Sequence, residues 1–343
     1  MPNYTFASDN AAGICPEALA AIIDANASFA PGYGDDPHTA RARALIDDLF
    51  EARCHTHFVF NGTAANSLAL SAICQRHHAV ACHARSHIET DECGAPEFFT
   101  GGAKLLTVHS PHAKLTTDAL VPLTTEEHGV HFPRLRALSL TQATEHGTLY
   151  SPAELAALSA WARSHQLSVH MDGARFANAV AAGHSPADLT WRSGIDVLCL
   201  GGTKNGLLTS EAVVFFDPAL AREFDYRVKQ SGQLASKMRF ASAQWVATLA
   251  DGAWLRHAAH ANRQAARLGQ ALADLGLTLL APVQANGVFV ELPPELATSL
   301  ADLGWHFYRF VGDHGYRLMC SWDTADADID SFLSDVRQSL THS

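Results

Sequence analysis

Lysine is scarce in this chain. Of 24 basic residues only Lys104, Lys114, Lys204, Lys229 and Lys237 carry a primary amine, so amine chemistry has five candidates. Positive charge is short overall, and a net charge of −11 argues against nucleic-acid or anionic-membrane partners. No apolar run approaches the ~20 residues that a membrane helix needs. The start of the chain has neither a basic nor an apolar leader segment, so no export signal is expected. Cys-x-x-Cys pairs are missing, and seven scattered cysteines are an odd count. Free thiols in a reducing cytoplasm are the expectation. Disorder is excluded as well, because hydrophobic residues make up 48% and charged residues 17%.

Histidine is abundant at 20, which raises the question of a metal. Cys82, His83, His87 and Cys93 fall within twelve residues, with His77 and His78 upstream. Structural zinc sites use tighter paired spacings, and H-E-x-x-H is absent, so no metal is expected.

The 343 residues suggest two domains. Short apolar runs alternate with helical patterns: runs near 57–60, 78–83, 104–108, 137–141, 167–171, 197–200 and 212–216, helices over 39–52, 67–75 and 151–165. Ser151 followed by Pro152 is a helix start signal. This alternation predicts a mostly parallel sheet covered on both faces. A helical pattern over 240–275 then leads to strands at 287–292 and 316–322 and a last helix over 328–340. We therefore expect a large α/β domain over 1–245 and a smaller α+β domain over 246–343.

Three segments carry chemistry. Asn61-Gly62-Thr63-Ala64-Ala65-Asn66 lies between a strand and a helix, where free N–H groups favour a phosphate. Taken alone it reads rather as an ordinary helix cap. Asp172, in Met171-Asp172-Gly173-Ala174-Arg175-Phe176, falls at the carboxyl end of a strand, where open α/β sheets bind ligands. Arg175 three residues on needs an anionic partner, either Asp172 itself or a ligand. Lys204, in Gly201-Gly202-Thr203-Lys204-Asn205-Gly206, follows an apolar strand, where desolvation makes a lysine nucleophilic. Together these are the parts of a pyridoxal phosphate site: an amine for the Schiff base, a carboxylate for the ring nitrogen and a turn for the phosphate.

Their chain order is that of the fold-type-I pyridoxal phosphate enzymes. With Tyr33-Gly34-Asp35-Asp36-Pro37, His87-Ile88-Glu89, His131-Phe132-Pro133-Arg134 and Gly315-Tyr316-Arg317, the chain resembles the bacterial low-specificity L-threonine aldolases nearly end to end. The resemblance implies cleavage of L-threonine, L-allo-threonine and other β-hydroxy-α-amino acids to glycine and an aldehyde, with pyridoxal 5'-phosphate as cofactor. It assigns Lys204 to the covalent link, Asp172 to the pyridinium nitrogen, and Gly62, Thr63 and Thr203 to the cofactor's surroundings. His87 is to stack on the ring, with Glu89 in support. Arg175, Arg317 and Ser8 are to bind the substrate carboxylate, with Arg175 also beside the cofactor, and His87 and His131 are to line the β-hydroxyl side. A homodimer or homotetramer is implied, with Tyr33 and Lys237 reaching across the subunit boundary, Lys237 toward the phosphate. Gln142-Ala143-Thr144-Glu145 departs from a Glu-Asn-Thr-His segment of other branches, so the wall near the β-substituent is expected to differ.

A β-eliminating lyase and an aminotransferase share the lysine, the aspartate and the sheet, and fold does not choose between them. A phenylserine-preferring aldolase is a further alternative. A noncatalytic cofactor-binding regulator would want a fused DNA-binding domain, and no basic helix-turn-helix segment is visible.

Overall fold

The computed structural model describes residues 3–125 and 129–341. Seven strands form the first sheet: β1 (His55–Val59), β2 (His78–His83), β3 (Lys104–Val108), β4 (Arg134–Thr141), β5 (Ser168–Gly173), β6 (Val197–Leu200) and β7 (Glu211–Phe215). Their order is β1-β7-β6-β5-β4-β2-β3. Neighbours from β3 to β6 run parallel, and β7 runs antiparallel to both β6 and β1. The central strands β5, β6 and β7 are buried at every position. Helices cover both faces of the sheet, which is why these strands read as unbroken apolar runs rather than alternating ones. One face packs on Phe50, Phe176, Trp245 and their neighbours, the other on Leu68, Leu70 and Phe224.

Local chemistry sets the helix starts. Asp36 caps the helix Pro37–Phe50 by accepting from the Thr39 N–H at 2.9 Å. Ser151 and Glu154 form a reciprocal capping box at Pro152–Ser164. The helix expected over 67–75 begins at Gly62 and ends at Ile73, because the Asn61 side chain accepts from the Ala64 N–H at 2.8 Å and draws the small-residue turn into the first helical turn. The pattern over 240–275 is two helices, Arg239–Ala250 and Ala253–Asp274, rather than one. Gly252 between them has φ +75°, a left-handed conformation that glycine adopts without steric cost.

A second, antiparallel sheet contains β8 (Gly287–Glu291), β9 (Tyr308–Val311) and β10 (Gly315–Met319) in the order β8-β10-β9. The strand expected at 316–322 ends at Met319, and β9 went unread because its half-exposed Tyr-Arg-Phe-Val gives no apolar signal. The core under this sheet joins Leu268, Val290, Leu318 and Phe332 with Phe6 from the start of the chain. Asn3 bridges Trp305, and the Phe6 carbonyl accepts from the Met319 N–H at 2.9 Å. Full burial of Phe6 is worth roughly 1.5–3 kcal/mol, one contribution among several that hold the N-terminal segment on the core under this sheet. No helix among the described residues is long and apolar enough to cross a membrane.

Candidate active site

The chain leaves β1, β2, β4, β5 and β6 at one edge of the first sheet, and each exit delivers a polar residue there. The loop after β1 gives Asn61–Thr63, the loop after β2 gives His87, the turn after β4 gives Glu145, the end of β5 gives Asp172, and the turn after β6 gives Lys204. The antiparallel β7 starts at the same edge with Glu211.

Two cavities open there. The first, about 290 Å³, is lined by Gly62, Thr63, Asn66, Asp172, Thr203 and Glu211 among others. The second, about 370 Å³, is lined by Ser8, Glu145, Arg175, Tyr308, Phe310 and Arg317 among others. Lys204, His87 and Asn10 line both, so they stand where the two lobes meet.

The first lobe is built for a group with an acidic end and a basic ring nitrogen. Gly62 and Thr63 open a helix, and their N–H groups have no acceptor within it. A side chain built at Gly62 would meet nothing within 4 Å, so the space above that turn is free. At the other side Asp172 is 5% exposed. Its Oδ1 accepts from the Ala174 N–H at 2.9 Å and its Oδ2 from Asn66 Nδ2 at 3.0 Å. Two buried oxygens, Asn66 Oδ1 and Glu92 Oε2, have no hydrogen-bond partner among the described residues. This donor and acceptor set fits pyridoxal phosphate.

Lys204 lies in a tight turn. The Gly202 N–H donates to Glu211 Oε2 at 2.6 Å, and a Cβ on Gly201 would lie 2.7 Å from the Ala174 Cα. Burial first, then the Arg175 charge, lowers the Lys204 pKa, which favours the neutral, nucleophilic amine. Burial also raises the neighbouring Glu211 carboxyl to about 7.

Arg175 does not pair with Asp172. Its Nε and Nη2 donate to Asp9 at 2.6 and 2.9 Å, and Asn286 Nδ2 donates to the same carboxylate at 3.1 Å. Arg317 forms no ion pair among the described residues, and its Nε is buried without a partner. Its guanidinium stacks on Phe310 at 4.9 Å and lies 5.8 Å from the Tyr308 ring centre. Burial, then the Arg175 charge, lowers its pKa, so an anion in the second lobe would relieve Arg317, which unlike Arg175 has no carboxylate partner among the described residues.

Residues 5–294 match the β-eliminating lyase family. Low-specificity L-threonine aldolases from Pseudomonas sp. (strain NCIMB 10558) and Pseudomonas aeruginosa are similar over nearly full length. The first is 54% identical over 334 residues, covering 97% of this chain and 96% of the relative. The second is 53% identical over 341 residues, covering 98% and 99%. This chain belongs to the low-specificity L-threonine aldolases, within that lyase family. It is thus an enzyme that acts on a carbon–carbon bond. A solved threonine aldolase of Leishmania major, 29% identical, superposes with a TM-score of 0.92 over 98% of this chain and 99% of that one. The architecture is that of the fold-type-I pyridoxal phosphate enzymes.

Of the residues expected in an aldolase site here, Lys204, Asp172, Gly62, Thr63, Thr203, His87, Arg175, Arg317 and Ser8 line the two lobes. His131 does not join them. It is exposed in a short turn ahead of β4, at the opposite edge of the sheet. The eight residues of β4 put about 23 Å of strand between it and the site. Tyr33 and Lys237 line neither lobe; both are exposed, on one patch where the Tyr33 N–H donates to the Ser236 carbonyl at 3.2 Å. Glu89 is exposed too, and the buried partner of His87 is Glu92, at 2.8 Å from Nδ1. That hydrogen bond, against a smaller effect of burial, raises the His87 pKa. Glu92 Oε1 also accepts from Asn66 Nδ2 at 2.8 Å, so His87 and Asp172 are joined through Glu92 and Asn66. Asp9, Asn66, Glu92, Glu145 and Asn286 escaped the sequence reading. Two of them carried a signal: Asn66 closes the small-residue turn motif, and the segment of Glu145 departs from other branches.

Proposed function

We infer that this enzyme cleaves L-threonine, L-allo-threonine and related β-hydroxy-α-amino acids to glycine and an aldehyde, with pyridoxal 5'-phosphate as cofactor. The observation that supports this most is the two-lobed cavity with Lys204 at the junction. One lobe carries the phosphate turn and Asp172, the other two arginines suited to a carboxylate.

In this reading Lys204 Nζ would be the covalent attachment point, the Gly62 and Thr63 amides would hold the phosphate, Asp172 would pair with the ring nitrogen, and His87 would cover the ring. Bound there, pyridoxal phosphate supplies an electron-withdrawing ring that accepts the electron pair released at Cα. The protein's task is to choose which Cα bond breaks. Arg317, with the Phe310 and Tyr308 rings beside its guanidinium, takes the substrate carboxylate as a planar fork. Arg175, with two of its nitrogens committed to Asp9, offers only its remaining edge. Ser8 adds a hydroxyl at the same lobe. Fixing the carboxylate fixes rotation about Cα, which is the proximity and orientation part of the rate.

The division into a domain over 1–245 and one over 246–343, a cytoplasmic location, and assembly as a homodimer or homotetramer complete the reading. Tyr33 and Lys237 belong to a patch on which Lys229 Nζ lies 4.9 Å from the Tyr33 ring centre, and we assign this patch to the subunit boundary. Sedimentation equilibrium tests the assembly.

The chemistry is tested by product identity. Purified enzyme supplied with cofactor and L-threonine should release glycine and acetaldehyde in equal amounts. Ammonia and a keto acid in their place would establish β-elimination and end the aldol reading. Phenylserine and allo-threonine in the same assay rank the β-substituents.

A further inference from the structure

Glu145 has no task in the reaction just described, yet its surroundings are those of a working group. It lies in the turn after β4 and lines the second lobe beside His87 and Lys204. Its Oε1 is fixed, accepting from the His87 N–H at 3.0 Å and the Thr141 hydroxyl at 2.9 Å. Its Oε2 is buried and has no hydrogen-bond partner among the described residues. An unmade hydrogen bond at a buried polar group costs roughly 1–3 kcal/mol, so a ligand group that completes it is favoured.

We propose that Glu145 is a catalytic residue, whose Oε2 takes the proton of the substrate β-hydroxyl as the carbon–carbon bond breaks. The proposal rests on the aldol-cleavage reading and deepens it. The O–H bond breaks and its proton moves to Oε2. The pair left on oxygen becomes the second bond of the aldehyde carbonyl. The Cα–Cβ bond breaks and its pair stays on the Cα side, where a proton completes glycine. One proton leaves oxygen and one arrives at carbon, so the step balances.

His87 is the rival, and the Glu145 variants below tell the two apart. The Nδ1 of His87 is engaged by Glu92, whose hydrogen bond raises the His87 pKa, so only Nε2 is left to accept a proton, while Glu145 Oε2 is already without a partner among the described residues. His131 of the same chain lies at the other edge of the sheet. Burial, more than the Asp172 charge, raises the Glu145 carboxyl to about 7, where a base is most effective at neutral pH. The ionisable groups that face it are Asp172 from β5, His87 after β2, Arg175, and the Cys82 and Tyr150 side chains.

The test compares wild type, Glu145→Gln and Glu145→Asp with L-threonine from roughly pH 5.5 to 9. The glutamine keeps an oxygen for His87 and Thr141 and loses only the proton acceptor. Its kcat should fall about 100-fold or more with KM within about three-fold, and the limb in which kcat rises through neutral pH should vanish. The aspartate should be slower but keep that limb. Infrared difference titration without substrate gives a readout that needs no turnover. A protonated carboxyl band should disappear as wild type passes pH 7, and the glutamine variant should lack it. Glu211 titrates in the same range in both proteins and cancels in the subtraction. A glutamine variant with wild-type kcat and an unchanged pH limb would overturn the proposal, as would identical infrared titrations. Should the glutamine variant not fold, an aspartate variant without the limb overturns it equally. Wild-type protein that forms no glycine at any pH refutes the aldol reading itself, a result distinct from a failure confined to the variants.

Discussion

Replacing Asp9 by asparagine should separate the electrostatic from the packing contribution of the N-terminal segment. The Asp9 side chain is fully buried, accepts two hydrogen bonds from Arg175, and keeps nearly the same shape as Asn. Burial alone would raise its pKa, but the charge and hydrogen bonds of Arg175 outweigh that and hold it at about 2, against 3.8 for a free carboxyl. A depressed folded-state pKa contributes stability above the unfolded value that is lost as pH falls toward the folded one. The difference corresponds to about 2.5 kcal/mol at pH 7, of which about 1 kcal/mol is gone by pH 3. Asp9→Asn also leaves Arg175 without its counter-charge, and breaking a buried pair on one side costs about 3–5 kcal/mol. Urea unfolding followed by tryptophan fluorescence should therefore place the variant about 3 kcal/mol below wild type from neutral pH to about pH 5, with the gap narrowing below pH 4. Equal stability at pH 7 would refute the reasoning. So would a gap that stays the same at pH 3.

Three more outcomes follow from the site. Arg317→Ala should raise KM for L-threonine about 10- to 100-fold, and Arg317→Lys should recover only part of it, because an ammonium cannot reproduce the stacked fork; steady-state kinetics decide. Gly201→Ala would press a methyl group into the backbone of Ala174, which cannot yield, so a loss of about 3 kcal/mol is expected in the same urea assay. Glu92→Gln removes the hydrogen bond that raises His87, so NMR titration of the His87 imidazole should show its pKa lowered; an unchanged value would mean that Glu92 does not set it.

The strand-end lysine and aspartate were legible because their signals are local: an apolar run, a small-residue turn and one polar residue at the end of each. The partners of those residues were not. Arg175 and Asp9 are 166 positions apart, and nothing in either segment points to the other. Glu92 was misread as Glu89 because both follow His87 in one short loop, and only the fold decides which is turned inward. His131 stands apart from the two lobes of its own chain for a topological reason. A motif ahead of a parallel strand falls at the edge away from the ligand, whatever its chemistry. β9 and the break at Gly252 were missed because an exposed strand and a single glycine leave faint periodic signals.

The clasp made by residues 3–9 has a consequence for synthesis. Asp9 and its partner Asn286 are 277 positions apart, and the Phe6 partners Trp305, Met319 and Phe332 lie further along the chain still. The nascent polypeptide can assemble its seven-stranded sheet while its beginning still hangs loose. The segment that carries the counter-ion of Arg175 is anchored by residues 286–332, so a translation product cut short before them would lack that anchor.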